Sequence, residues 1–93
     1  GHIMEKGIIT VVGKDQVGII AEVCSFLADN NINILDISQT IIQGYFNMMM
    51  IVELSKMDKD FGNVCEDLDQ LGQKIGVNIK LQHENIFNKM HRI

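Results

Sequence analysis

The apolar residues change period several times along this chain, and the order of those changes leaves few folds open. Gly7-Ile8-Ile9-Thr10-Val11-Val12-Gly13 is a β-branched run bounded by glycines. Its nearly continuous apolar character predicts a central strand buried on both faces. Lys14 to Gly18 reads as a turn into a helix. Asp15 is the expected N-cap, since its carboxylate can accept a backbone N–H of the first turn. Ile20, Val23, Cys24 and Leu27 then share one helix face, and Asp29-Asn30-Asn31 is a polar stop. From Ile32 to Ile42 the chain is β-branched again, Gln43-Gly44 supplies a turn, and Tyr45 to Leu54 alternates, which predicts a long β-hairpin. Phe46, Met48, Met50, Val52 and Leu54 form its core face; the opposite face, Tyr45, Asn47, Met49, Ile51 and Glu53, is only half polar.

Ser55 to Asp58 is a connector. Phe61, Val64, Cys65, Leu68, Leu71 and Ile75 recur at helical spacing, and Gly76 is a natural terminator. Val77, Ile79 and Leu81 alternate with Asn78, Lys80 and Gln82 as a last strand. In the tail, Ile86, Met90 and Ile93 predict a short amphipathic helix over residues 84–92, suited to covering an apolar sheet face or reaching a partner. The order β-α-β-β-α-β places two helices on one face of a four-stranded antiparallel sheet, an α+β, ferredoxin-like sandwich with a short C-terminal helix. With 93 residues there is material for one core, so residues 4–93 are read as a single domain and Gly1-His2-Ile3 as a cloning remnant.

Composition excludes several function classes. The net charge of −4 and the scattered basic residues argue against a nucleic-acid partner, which requires a concentrated Lys/Arg footprint. No apolar run reaches the ~20 residues of a membrane span, and no secretory signal is visible, so a cytoplasmic protein without a membrane partner is expected. Cys24 and Cys65 form no CxxC pair and are expected as reduced thiols on apolar helix faces. Alternate residues of Met48-Met49-Met50 point to opposite faces of a strand, so core packing is expected there rather than a thioether metal site. His83 and His91 stand eight apart without a ligand set at metal spacing. No metal and no cofactor is expected. There is no G-x-S-x-G, H-E-x-x-H or phosphate loop, so the chain is not read as an enzyme.

Gly13-Lys14-Asp15-Gln16-Val17-Gly18-Ile19-Ile20-Ala21-Glu22-Val23 resembles the strand-to-helix turn of ACT domains, small regulatory modules that typically bind amino acids. Asn31-Ile32-Asn33-Ile34, beginning thirteen residues after Gly18, resembles the segment that opens their second strand. The likeness runs from Ile8 to Leu81. Val17 stands where the family motif commonly has proline. The segments Ile34 to Thr40 and Glu84 to Ile93 are similar to a bacterial family of stand-alone ACT proteins, related to modules of the glycine cleavage repressor and formyltetrahydrofolate deformylase.

Gly18 has two readings. Its missing side chain can let a ligand approach the free N–H groups of a helix N-terminus, which with the helix dipole suit a carboxylate. It can equally allow close helix–strand packing. Asn33 is either a ligand contact or turn chemistry. The resemblance implies a zwitterion site: the helix N-terminus toward the carboxylate, Asp15 and Asn33 toward the amine, with backbone N–H and C=O groups contributed around Val17, Gly18 and Ile19 and at Ile34. It also implies a two-fold homodimer through the second strand, with Ile34, Asp36, Ser38 and Gln39 at the interface, an edge that invites pairing with another chain. The expected function is a regulatory domain binding a small molecule, an amino acid. Its rival is a protein–protein interaction module that docks an enzyme or regulator and binds no small molecule.

Overall fold

The computed structural model describes residues 5–14 and 18–84. The elements follow in the order β1 (Lys6–Lys14), α1 (Ile19–Asp29), β2 (Asn33–Ile42), β3 (Tyr45–Glu53), α2 (Phe61–Ile75) and β4 (Val77–His83). The four strands form one sheet in the order β2-β3-β1-β4, with every neighbouring pair antiparallel. This is the ferredoxin-like arrangement, with β2 and β4 as the two edges. The tail predicted to form a helix lies outside the described residues apart from Glu84. Among the described residues, no helix is long and apolar enough to cross a membrane.

Strand alternation decides which side chains enter the core. Met48, Met50 and Val52 of β3, together with Ile9 and Val11 of β1 and Ile79 and Leu81 of β4, are buried on one sheet face. Val23 and Leu27 of α1 and Val64 and Leu68 of α2 join them in a single cluster. Each such side chain contributes about 1.5–3 kcal/mol through removal from water. Met49 points the other way and is exposed, so the thioethers diverge as strand geometry requires.

Three expectations are corrected. β1 is buried on both faces only over its first half: Ile8, Ile9 and Val11 are buried, but Val12 is exposed. The sheet face away from the helices also exposes Tyr45 and Met49. On α1 the inward stripe is Ile19, Val23 and Leu27; Cys24 is half-buried beside it and Ile20 turns outward at 37% exposure. Val23, Leu27 and Cys24 face the core as the periodicity predicts; only the first position differs, with Ile19 inward in place of Ile20. Finally, the N-cap of α1 is Gly18 rather than Asp15, with φ 93° and no side-chain cap bond.

The end of α1 is built as a Schellman motif. The Asn31 N–H donates to the Ala28 carbonyl at 3.2 Å and the Ile32 N–H to the Leu27 carbonyl at 2.9 Å. Asn31 takes the left-handed conformation with φ 57°, which asparagine tolerates. Ile32 and Leu27, paired by that bond, are both buried. Asn30 is buried as well, its side-chain amide donating to the Phe26 carbonyl at 2.9 Å. α2 ends at Gly76 with φ 80°, and burial pushes the Cys65 thiol pKa up, so that it stays neutral.

Candidate functional site

Gly18 holds a backbone conformation that L side chains avoid. A Cβ built there meets nothing within 4 Å among the described residues. No strand or helix among the described residues presses against it. Positive φ accounts for the glycine, and the first-turn N–H groups of α1 follow it directly. The Gly18 carbonyl accepts the Glu22 N–H at 2.9 Å, the first bond of the helix. Ile19 sends its side chain into the core, so only its backbone is available to a ligand. Asp15 and Val17 lie outside the described residues.

Asn33 and Ile34 sit elsewhere. Asn33 opposes Glu53 in β3, and Glu53 opposes Lys6 at the start of β1. Gly18 follows the far end of β1, where Lys14, Tyr45 and Ile42 share a row. The eight steps of β1 between these rows span about 27 Å at ~3.4 Å per residue. Within one protomer, therefore, Gly18 and Asn33 stand at opposite ends of the sheet. The topology held this signal: α1 carries the chain back across the sheet, so β2 begins beside the start of β1.

At the Asn33 end lies an open groove of about 670 Å³ between the second half of α1 and the first residues of β2. Cys24, Ala28 and Ile34 supply apolar wall, while Asn31, Glu53 and Lys56 supply polar groups. The Asn31 side chain is pinned by donating to Asp58 Oδ2 at 2.8 Å. Of these lining residues, sequence reasoning identified only Asn33 and Ile34. Glu53 and Lys56 were legible as charges but not as neighbours, because a strand end and a connector meet there only through tertiary structure.

The edge strand carries the remaining predicted residues. Asp36, Ser38 and Gln39 are all exposed. The pairing with β3 shifts register between Ile34 and Asp36, so Leu35 is an extra residue in the ladder, a β-bulge. Downstream of it, Asp36 and Ser38 share the open sheet face and Ile37, Gln39 and Ile41 the helix-side face. Asp36 Oδ1 accepts the Ile37 N–H at 2.9 Å. Sequence reasoning missed the apolar character of this edge: Leu35 and Ile37 are exposed, Ile41 is 61% and Ile42 57% exposed. Its trace was the charge-free stretch from Ile37 to Val52.

Comparison with known proteins fits this architecture. The profile of the ACT domain family matches residues 6–82. A UPF0237 protein of Bifidobacterium longum is 63% identical over 90 residues, 97% of this chain and the whole of that protein. An ACT domain protein from Streptococcus pneumoniae superposes with a TM-score of 0.82 at 42% identity, over 91% of this chain and 96% of the other. A putative glycine cleavage system transcriptional repressor shares the fold, with a TM-score of 0.70 at 24% identity over 88% of this chain and 47% of that one. A formyltetrahydrofolate deformylase from Pseudomonas syringae shares it too, with a TM-score of 0.79 at 21% identity over 88% of this chain and 28% of that one. The chain belongs to the ACT domain family.

Proposed function

We propose that this chain is a regulatory module that binds an amino acid at the interface of a two-fold homodimer. The observation that carries the reading is the opposite placement of Gly18 and the Asn33 groove. Antiparallel pairing of β2 with β2 of a second copy, about its midpoint, sets Asn33 of one protomer beside Ile42 of the other. Ile42 shares a row with Lys14, the last residue of β1, and so lies at the Gly18 end. The same pairing covers the exposed apolar side chains of the edge strand. Two half-sites that one protomer keeps apart are then joined, twice, by the symmetry axis.

In this arrangement the α1 N-terminus of one protomer takes the ligand carboxylate. Asp15 and Asn33 face the ammonium group. Ligand binding favours the assembly or orientation that closes the site, a population shift that a partner protein reads. The exposed apolar edge equally favours the second reading, in which a foreign chain rather than a second copy pairs with β2.

A thermal-shift screen against the twenty amino acids separates the two. A ligand at 100 times its dissociation constant adds about 2.7 kcal/mol. Gly18→Asp places a carboxylate where the ligand's own must sit. It is expected to abolish the shift while the dimer persists in sedimentation. A flat screen on a confirmed dimer transfers the assignment to the interaction module.

A further inference from the structure

The sheet face away from α1 and α2 is uncharged at its centre and charged only at its rim. Ile8, Thr10 and Val12 of β1 and Asn47, Met49 and Ile51 of β3 fill the middle. Lys6, Lys14 and Glu53 stand at strand ends, and Asp36 and Lys80 on the two edge strands. Ile8 is the unusual residue here. It points to this open face, because Ile9 and Val11 point to the helices, and it belongs to no part of the core cluster. It is nevertheless only 9% exposed, whereas Val12, on the same strand and the same face, is 42% exposed. Both have a strand on either side, so position within the sheet does not account for the contrast. The buried end is the one where β4 finishes: Ile8 shares a row with Gln82, next to the last strand residue His83. Beyond it a hollow of about 280 Å³ opens over Thr10, Val12, Asn47 and Met49.

We propose that residues 84–93 lie across this face of their own sheet as an amphipathic helix, with Ile86, Met90 and Ile93 set over Ile8, Thr10, Met49 and Ile51. Origin, reach and pattern name this occupant. The chain leaves β4 at His83, and Glu84, the last described residue, is already helical. On the other side of the sheet β4 is covered by α2, so the open face is the apolar surface within reach. A helix over 84–93 is about 15 Å long at 1.5 Å per residue. The three gaps between four strands measure about 14 Å, so such a helix crosses from β4 over β1 and β3. Ile86, Met90 and Ile93 make one stripe about 10 Å long, two strand spacings, while Asn85, Asn88, His91 and Arg92 turn to the opposite side. The tail then seals the open face in cis and leaves β2, the edge farthest from β4, to carry assembly.

The test is NMR on the full chain with labelled Ile and Met methyl groups. Cross-peaks are expected from the Met90 and Ile86 methyls to those of Ile8, Ile51 and Met49. In an equal mixture of labelled and unlabelled chains, an isotope filter keeps only contacts between copies. The cross-peaks should be absent there; their survival would show that a second copy supplies the tail and would overturn the cover in cis. Tail amides at random-coil shifts, with no such cross-peaks, would overturn it as well. Met90→Asp puts a carboxylate in the middle of the stripe and should release the tail. The Ile8 and Ile51 methyl resonances should then shift, and the fluorescence of the dye ANS, which binds exposed apolar surface, should rise severalfold. Met90 lies outside the four-stranded sheet, so the variant should keep the fold, which the amide shifts of β1 to β4 check. If Met90→Asp keeps its sheet and leaves both the Ile8 methyl and the dye signal unchanged, the tail does not cover this face.

Discussion

Single residues in this fold are constrained by backbone as much as by side chain, and Gly72 is the sharpest case. It lies inside α2, where alanine is normally the better helix former by about 1 kcal/mol. Here a Cβ would meet the Val77 carbonyl oxygen at 2.6 Å and the Ile79 side chain at 3.3 Å. The obstacle at 2.6 Å is backbone and cannot rotate away. Gly72→Ala should therefore destabilise the chain by about 1–3 kcal/mol in chemical denaturation, the usual cost of overpacking. Gly62, near the start of the same helix, has nothing within 4 Å of a Cβ among the described residues. Gly62→Ala should stabilise by about 0.5 kcal/mol through the unfolded chain's lost freedom. Equal effects of the two substitutions would mean that α2 does not press on β4 at Gly72 as the structure has it. Sequence alone could not separate these glycines, because both sit at unremarkable helical positions. Gly18 was legible as special, but not for its actual reason: whether a glycine sits within the first helical turn or ahead of it as a left-handed cap depends on where the helix begins.

At the scale of elements, the order and type of every described strand and helix could be read from periodicity and punctuation. The Gln43-Gly44 turn is a good example. Ile42 pairs directly with Tyr45, so the loop has two residues, and both have positive φ, 50° and 83°. That is the backbone of a type I′ turn, whose twist matches the strands it joins. Glycine fits the second position; glutamine at the first is held in a region that favours asparagine. Gln43→Asn should raise stability by about 0.5–1 kcal/mol, visible as a higher denaturant midpoint with an unchanged slope. What periodicity could not supply was the first inward position of α1. Ile19 and Ile20 are chemically identical, so only the placement of the first turn decides which enters the core. The bulge at Leu35 was equally hidden, since Asn33 to Ile42 alternates poorly under either register and the shift appears only against β3.

The whole molecule is where the candidate site was least legible, because Gly18 and Asn33 stand at opposite ends of one protomer's sheet and the proposed site joins them only through a second copy. The motif residues around Gly18 and Asn33 could be picked out by resemblance, yet the 27 Å scale of the sheet between them follows from topology. Assembly is therefore the property on which the functional reading turns. An edge strand exposing Ile37, Ile41 and Ile42 without a lysine or proline to guard it is a poor surface for a lone domain. Replacing Ile37 and Ile41 by lysine places two cations on the helix-side face of that edge, and a two-fold axis doubles them to four. Since both positions are exposed, the cost to the isolated fold should stay within about 0.5 kcal/mol each. The dimer should nevertheless give way to monomer in analytical ultracentrifugation, and any amino-acid-induced thermal shift should vanish with it, because each half-site keeps only its own groups. A double variant that remains dimeric would move the interface off β2. A monomer that still binds its ligand with undiminished affinity would place the site within one protomer, and the groove at Asn33 would then have to work without the helix end.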